Sequence, residues 1–219
     1  MKHVAQLTVL LFASWGVAQS TGGAGSARNL TVWEPPNVDW PSTLPKPTVA
    51  KEMVKGLSVA GWPITLEETE VDEARKHFGG TLGGRGDAGE SLGWLCLYRQ
   101  GEGASWVLWL ESAEINGPTI GSFRWQQLPS QAKIDRRCQR LKTDSAAIDL
   151  PLAIRLGMTE AEVVSRMGKP SAQSGERAIY LHEHNLTIDG EPYSLDNYLL
   201  ITYRNGRVWA IDVSHSTVS

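Results

Sequence analysis

The sequence predicts an α+β fold built from two tandem repeats, each a short helical element plus a three-stranded antiparallel sheet. Two observations predict the repeat: helix-start signals at Thr69 and Thr159 lie ninety positions apart, and three apolar, strand-like runs follow each of them. A third observation concerns the nine tryptophans of this 219-residue chain, several of which fall in those runs. Strand side chains alternate between two faces, and one short helix covers a single face, so some aromatic side chains must point away from the helix.

The composition excludes two broad classes of protein. Apolar residues make up 41% and charged residues 21% of the chain, a balance too hydrophobic and too weakly charged for a wholly disordered protein. The formal net charge of −3 argues against nucleic-acid binding, which depends on neutralising phosphates with basic side chains. The length suffices for a sizeable core, in one domain or in two small ones.

Residues 1–18 have the pattern of a secretory signal peptide. Lys2 and His3 come before an apolar run at 9–15, and the small residues at 16–18 supply a cleavage site. The run is too short to cross a bilayer, and without a nearby cysteine we expect no lipid anchor and no integral membrane segment. The sequence therefore predicts a periplasmic or secreted protein.

The chain has two cysteines, Cys96 and Cys138, and predicted export bears on their redox state. Export places them in an oxidising compartment, where a pair of cysteines forms a disulfide bond. The alternative is two buried thiols. We expect the disulfide.

Residues 19–60 form a predicted arm that is rich in glycine, serine and proline and has no apolar periodicity. Such a composition is typical of a mobile or extended spacer, partly of polyproline type. Trp33 and Trp40 lie within the arm. Either could pin the arm onto the folded domain, and loose placement at the surface is the alternative.

The first predicted repeat covers residues 61–142. Thr69 followed by Asp72 resembles a capping box, which starts a short helix with one apolar face. A glycine directly after the helix suits its left-handed end. Three strand-like runs follow the helix, at 93–99, 105–112 and 120–128.

The second predicted repeat covers residues 143–219. Thr159 and Glu162 form a better capping box, and Gly168 ends this helix just before Pro170. The order of elements is the same as in the first repeat. Its three strand-like runs lie at 177–184, 197–204 and 207–215.

The last two strands are joined by a strong hairpin signal. Asn205 and Gly206 both tolerate positive φ, as the tight turn between two antiparallel strands requires. Regular pairing across this turn places Ile201 opposite Ala210 and leaves Trp209 on the other face of the sheet.

The second repeat also resembles a known pattern, carried by residues in and around its helix: Gly157, Met158, Thr159, Val163 or Val164, Gly168 and Pro170. With the terminal hairpin, they resemble the repeat shared by the β-lactamase inhibitor (BLIP-like) family and the SmpA/OmlA-type outer-membrane assembly lipoproteins. The resemblance is clearest over 150–215, while the first half matches in layout. Tandem units are typical of the inhibitors, whereas the lipoproteins have one unit and a lipidated cysteine. The resemblance implies protein binding without catalysis, through an aromatic sheet face.

We therefore expect a non-catalytic, exported protein-binding module, with inhibition of the partner as one form of binding. The partner would be another exported or envelope protein, and nucleic acid is not expected. The predicted contact residues are aromatic side chains in the strands: Trp106, Trp125, Tyr180, Tyr198 and Trp209. Because Trp106 and Trp109 are three positions apart, one of them must face away from the helix.

Two alternatives come from other functional classes. The first is a structural factor of the envelope or of outer-membrane assembly. The second is a metal-dependent hydrolase in which His182 and His184, on one face of a strand, hold the metal. Its third ligand would have to come from residues such as Asp189, Asp196 or His215, which no sequence feature indicates. A pair of polar residues near a strand end is the simpler explanation.

No other motif predicts catalysis or a cofactor. Gly84–Gly89 matches the spacing of a dinucleotide-binding loop, but a helix precedes it and a strand follows, the reverse of the order that such a loop needs. We therefore expect a connecting loop there. The sequence contains no Gly-x-Ser-x-Gly elbow. The expectation is a protein without catalytic residues, without a bound cofactor and without a resident metal.

Overall fold

The structure, a computed structural model, describes residues 31–38, 45–49, 54–87, 91–101, 105–129, 131–142, 147–188 and 190–218. The predicted signal peptide (1–18), Trp40 and much of the predicted arm lie outside these ranges. The described residues belong to one compact unit, within which the predicted repeat boundary at 142/143 falls.

Two eight-residue α-helices lie in the described part of the chain, α1 (Val71–Phe78) and α2 (Glu160–Met167). Strands dominate the rest. They are β1 (Thr31–Val32), β2 (Gly56–Val59), β3 (Trp62–Thr65), β4 (Leu82–Arg85), β5 (Leu92–Arg99), β6 (Trp106–Ala113), β7 (Ser122–Gln127), β8 (Lys133–Ile134), β9 (Gln139–Arg140), β10 (Ile148–Asp149), β11 (Ala172–Ser174), β12 (Arg177–Ile188), β13 (Glu191–Arg204) and β14 (Arg207–Val218).

One large sheet organises these strands. Within the described residues, nine strands join in the order β11-β12-β13-β14-β7-β6-β5-β4, with β9 attached in parallel beside β5. The other neighbours in this sheet are antiparallel. The predicted fold class, an α+β pair of repeats with three-stranded sheets, is therefore wrong, and the protein is mostly β.

The physical reason for this error is a strand pairing that local sequence patterns do not encode. The six predicted strand runs correspond to β5, β6, β7, β12, β13 and β14. The last strand, β14, then pairs with β7 from the first half, so that Ile211 lies opposite Trp125. This pairing satisfies two strand edges that separate sheets would have left unpaired. It fuses both predicted sheets into one.

The start of α2 follows the sequence signal, whereas the start of α1 departs from it. In α2, the Thr159 hydroxyl accepts from the Glu162 backbone N–H at 3.3 Å, while the Glu162 carboxylate accepts from the Thr159 N–H at 2.7 Å, which confirms the predicted capping box. In α1 the predicted Thr69 cap is wrong. The Thr69 hydroxyl closes the preceding turn by accepting from Thr65 N–H at 3.0 Å, and Glu70 becomes the N-cap.

The main core lies on the face of the sheet that α1 and α2 cover, here called the helical face. Sheet residues such as Leu108, Phe123 and Ile211 pack there against Ala74 of α1 and Val163 of α2. The β2–β3 hairpin and β10 form a separate three-stranded sheet that closes the same side. Since β2 lies within residues 19–60, the arm prediction is wrong for that segment, which is a paired strand.

The terminal hairpin contains the predicted turn and one irregularity that the sequence did not predict. Asn205 and Gly206 have positive φ angles of 52° and 70°, as expected for the turn. A β-bulge then shifts the register, so that Ala210 lies opposite Thr202, and the predicted pairing of Ile201 with Ala210 is wrong. The extra residue in β14 is Trp209.

Candidate binding face on the reverse side of the sheet

The face opposite the helical face, here called the reverse face, has two chemically different regions. The first is the covered patch, consisting of Trp33, Trp94, Cys96, Trp109 and Cys138, all buried in a second apolar cluster. Cys96 and Cys138 form a disulfide bond, which confirms that prediction. The bond ties β5 to the segment before β9.

The arm residues at 31–38 cover this patch. The Trp109 indole N–H donates to the Trp33 carbonyl at 3.0 Å, and the Trp33 and Trp94 rings meet edge to face at 5.7 Å. The Arg137 guanidinium lies over the Trp33 ring, 4.2 Å from its centre. The arm is therefore pinned through Trp33, one of the two tryptophans for which the sequence left this question open.

The second region is the arginine patch, consisting of Arg124, Arg177, Thr202, Arg204 and Trp209. These residues lie on β7, β12, β13 and β14, in the part of the sheet contributed mainly by the second half of the chain. They border a cavity of about 300 Å³, whose remaining lining is Pro36, Asn37, Val38, Gln126 and Leu200. A cavity of this size can hold a small chemical group, such as the end of one side chain, but not a larger segment of a partner protein.

Two aromatic side chains are partly exposed near this region. The Arg204 guanidinium lies over the Trp209 ring, 4.1 Å from its centre. Trp209 is the extra residue of the bulge, and bulges commonly redirect a side chain in this way. Tyr198 lies farther along β13, where burial and then the neighbouring Asp196 raise its pKa to about 12.

Beneath the arginine patch lies a partly compensated group of buried charges. The Arg124 guanidinium donates to the carboxylate of Asp212, which is 2% exposed. Burial raises the pKa of Asp212 to about 6, with Arg124 opposing the shift. On β6, which β7 separates from β14, burial and then the Asp212 charge raise the pKa of Glu111 to about 7, while the Ser122 hydroxyl donates to the Glu111 carboxylate at 3.2 Å. Neither carboxyl is among the described residues that line the cavity.

The predicted contact residues separate into two groups in the structure. Tyr198 and Trp209 are partly exposed, as a contact role requires. The predicted contact role is wrong for three residues, which are buried in the core of the helical face. They are Trp106, Trp125 and Tyr180, at 3%, 6% and 0% exposure. Strand alternation determined their direction, and the helices with the β2–β3 hairpin cover that face.

Strand parity is confirmed for Trp106 and Trp109, which face opposite sides of β6. Trp106 packs against Trp125 in the core, with ring centres 6.4 Å apart. Trp109 points to the reverse face, as the spacing requires of one of the two. It is nevertheless 2% exposed, because Trp33 covers it.

The candidate metal ligands have other partners. His182 Nδ1 lies 2.8 Å from the carbonyl oxygen of Val49, and the His182 and His184 rings are 6.4 Å apart. His215 Nδ1 is 2.8 Å from Glu67 Oε2, and Asp189 lies outside the described residues. In the part of the chain that the structure describes, no three or more metal-binding side chains gather.

Sequence reasoning missed the charged residues of this face. Arg124, Arg177, Arg204 and Asp212 were not singled out, although one signal was present. Asp212 interrupts the apolar run of the last strand, and a charge in such a run needs a partner when the strand is buried on both faces. Which residue supplies that partner depends on the pairing of β14 with β7.

Comparisons with known proteins give no identification. No protein-family model, curated protein or solved structure matches this chain. Separately, neither of the helices in the described ranges has the length and apolar character needed to cross a membrane.

Proposed function

We propose that this protein is an exported, non-catalytic protein-binding module whose contact surface is the arginine patch together with Tyr198. The observation that carries the proposal is the stacking of the exposed Arg204 on the partly exposed Trp209 beside a cavity. Tryptophan, tyrosine and arginine are the residue types that dominate binding energy at protein interfaces. Their concentration at one surface region favours a contact role.

The physical advantage of this arrangement is a rigid platform. Trp209 lies at the bulge with the Arg204 guanidinium over its ring, and Leu200 and Thr202 on the adjacent strand are paired in the sheet. A partner that covers the Trp209 ring would bury apolar surface at a small cost in conformational entropy, because the ring is already packed against Arg204. The resemblance of residues 150–215 to inhibitor repeats supports binding as the general role, with inhibition as one form of it.

Export is part of the same proposal. The pattern at residues 1–18 and a disulfide bond between Cys96 and Cys138 both favour a periplasmic or secreted location. When the chain is expressed with its own leader in its native host, N-terminal sequencing of the recovered protein should begin near residue 19. A protein that retains Met1 in the cytoplasmic fraction would contradict export.

The binding surface is tested by comparing variants in capture from the extracellular and envelope fractions of that host. Trp209→Ala and Tyr198→Ala, singly and together, should lose a crosslinked partner that the wild-type protein captures. Trp62→Ala is the matched control, because Trp62 is also a partly exposed tryptophan but packs beside His77 on the helical side of the molecule. Circular dichroism of every variant checks that the fold is retained.

The outcomes separate the proposal from its alternatives. Selective loss of the partner from the Trp209 and Tyr198 variants, with retention by Trp62→Ala, supports it. Equal capture by all folded variants would contradict it. Sedimentation with envelope material, independent of Trp209, would instead favour the structural envelope factor expected as an alternative from the sequence.

A further inference from the structure

The cavity at the arginine patch has a lining that selects for one kind of chemical group. Three arginines line it, together with Gln126 and Thr202, and no acidic residue is among the described residues that line it. Arginine donates parallel hydrogen bonds that match the two oxygens of a carboxylate. We infer that this cavity is a carboxylate-binding site that holds an acidic side chain of the partner protein.

The charge balance indicates a single negative charge. Arg124 already donates to the buried Asp212, and its Nε donates to Gln126 at 2.9 Å, so its charge is largely compensated within the sheet. Arg204 is exposed at the rim of the cavity, where its guanidinium lies over the Trp209 ring. A carboxylate beside it would add one charge-assisted contact without burying an uncompensated charge, which is the condition for a favourable ion pair.

The apolar part of the lining distinguishes a carboxylate on a carbon stem from an inorganic anion. Leu200, Val38, Pro36 and the ring of Trp209 form this part of the wall. Such a wall suits the methylene groups of a glutamate or aspartate side chain. A phosphate, which is hydrated on all sides, gains nothing from it.

This inference rests on the proposed binding function, because it names what the partner inserts at the same surface. It can nevertheless be tested without the partner. Propionate carries the carboxylate and the stem of an acidic side chain, and propionamide is its neutral counterpart of equal shape.

The experiment is a titration of the isotope-labelled protein, recovered after expression with its own leader, at constant ionic strength. The indole N–H resonance of Trp209, assigned from its loss in Trp209→Phe, and the Nε–H resonances of the arginines report on the cavity. Propionate should shift them saturably, with a dissociation constant on the order of 1 mM. Propionamide should leave them in place.

Two substitutions locate the site. Arg204→Gln should weaken propionate binding about tenfold, since it removes a charged hydrogen-bond donor. Arg155→Gln is the matched control, because it removes one exposed positive charge outside the cavity lining and should leave the affinity unchanged. An equal loss in both variants would mean that only the net charge matters, and would overturn the inference.

Two further probes test other occupants. Inorganic phosphate that binds more tightly than propionate would show a phosphate site and overturn the assignment. Asp39 follows Val38 in the sequence, so Asp39→Asn tests whether the chain supplies its own carboxylate. If Asp39→Asn binds propionate and the wild-type protein does not, a carboxylate of the chain itself occupies the cavity and the inference is wrong.

Failure of the carboxylate site and failure of the proposed binding function give different results. If the Trp209 variants lose the partner but no anion shifts the cavity resonances, the binding surface is supported and the carboxylate site is contradicted. If propionate binds and Arg204→Gln weakens its binding, while partner capture is insensitive to Trp209, the carboxylate site is supported and the proposed function is contradicted.

Discussion

The covered patch and the arginine patch lie on the same face of one sheet, yet their side chains differ in polarity and in exposure to solvent. In the covered patch, the apolar side chains of Trp94 and Trp109 need to be removed from water, and the arm does this through Trp33. In the arginine patch, the corresponding strand positions carry Arg124 and Thr202. Polar side chains of this kind remain stable in contact with solvent or a ligand.

One face of a single sheet can therefore contain a region that stabilises the fold and a second region that is available for binding. Burial of an aromatic cluster and a disulfide stabilises one half of the reverse face, at the cost of making it unavailable. The other half keeps its aromatic residues, Tyr198 and Trp209, partly exposed beside charged groups. We therefore expect substitutions in the covered patch to change folding, and substitutions in the arginine patch to change binding.

The largest expected effect follows from removing the disulfide of the covered patch. The double variant Cys96→Ser/Cys138→Ser releases a loop of sequence separation 42, which should lower the free energy of unfolding by about 4 kcal/mol in the chain-entropy model. Denaturant unfolding measures the change. Reduction of the wild-type protein by dithiothreitol should reproduce it. A loss below about 1 kcal/mol would show that the covered patch is held by packing alone.

The second effect compares two tryptophans directly. Trp33→Ala should lower the free energy of unfolding by about 3 kcal/mol, because it empties a site packed against Trp94 and Arg137. Trp209→Ala should cost less than about 1 kcal/mol, since its ring is partly exposed. The same chemical unfolding series measures both variants. Equal costs would contradict the division of the reverse face into a structural and a binding half.

The elements of this fold were predictable from local patterns because their signals are local. The capping box at Thr159 and the Asn205-Gly206 turn each depend on residues a few positions apart, and both are present. The disulfide was predictable because a chain with two cysteines has one possible intramolecular pairing.

The architecture was not predictable, because it depends on contacts between distant segments. Pairing of β14 with β7 joins residues such as Ile211 and Trp125, which lie far apart in sequence. The same applies to the site. Burial of Trp125 and the partnership of Arg124 with Asp212 follow from that pairing. A single bulge at Trp209 shifts the register of the hairpin, so that Ile211 and not Ala210 lies opposite Ile201. Alternation predicts two faces, but it does not predict which segment covers each one.

The smallest of the three effects concerns Glu111, which lies at the border of the two patches, opposite Trp94 on one side and Ser122 on the other. Its pKa rises from 4.5 to about 7 on folding. Between these values the unfolded chain has released the proton and the folded protein still holds it. This contribution to stability is therefore complete below about pH 4 and is lost as the pH rises through 7.

Glu111→Gln should remove this dependence, because glutamine keeps the hydrogen bond to Ser122 and never ionises. The full pKa difference corresponds to roughly 3 kcal/mol, which solvent screening reduces because Glu111 is partly exposed. At pH 8 the variant should therefore be more stable than the wild-type protein by about 2 kcal/mol, and near pH 4 the two should be similar. Unfolding free energies measured at steps between pH 4 and pH 8 test this, with Glu191→Gln at an exposed position of β13 as the control. Parallel pH curves for wild type and Glu111→Gln would show that the carboxyl ionises in the folded protein as it does in water, and that the border between the patches is wetter than its burial indicates.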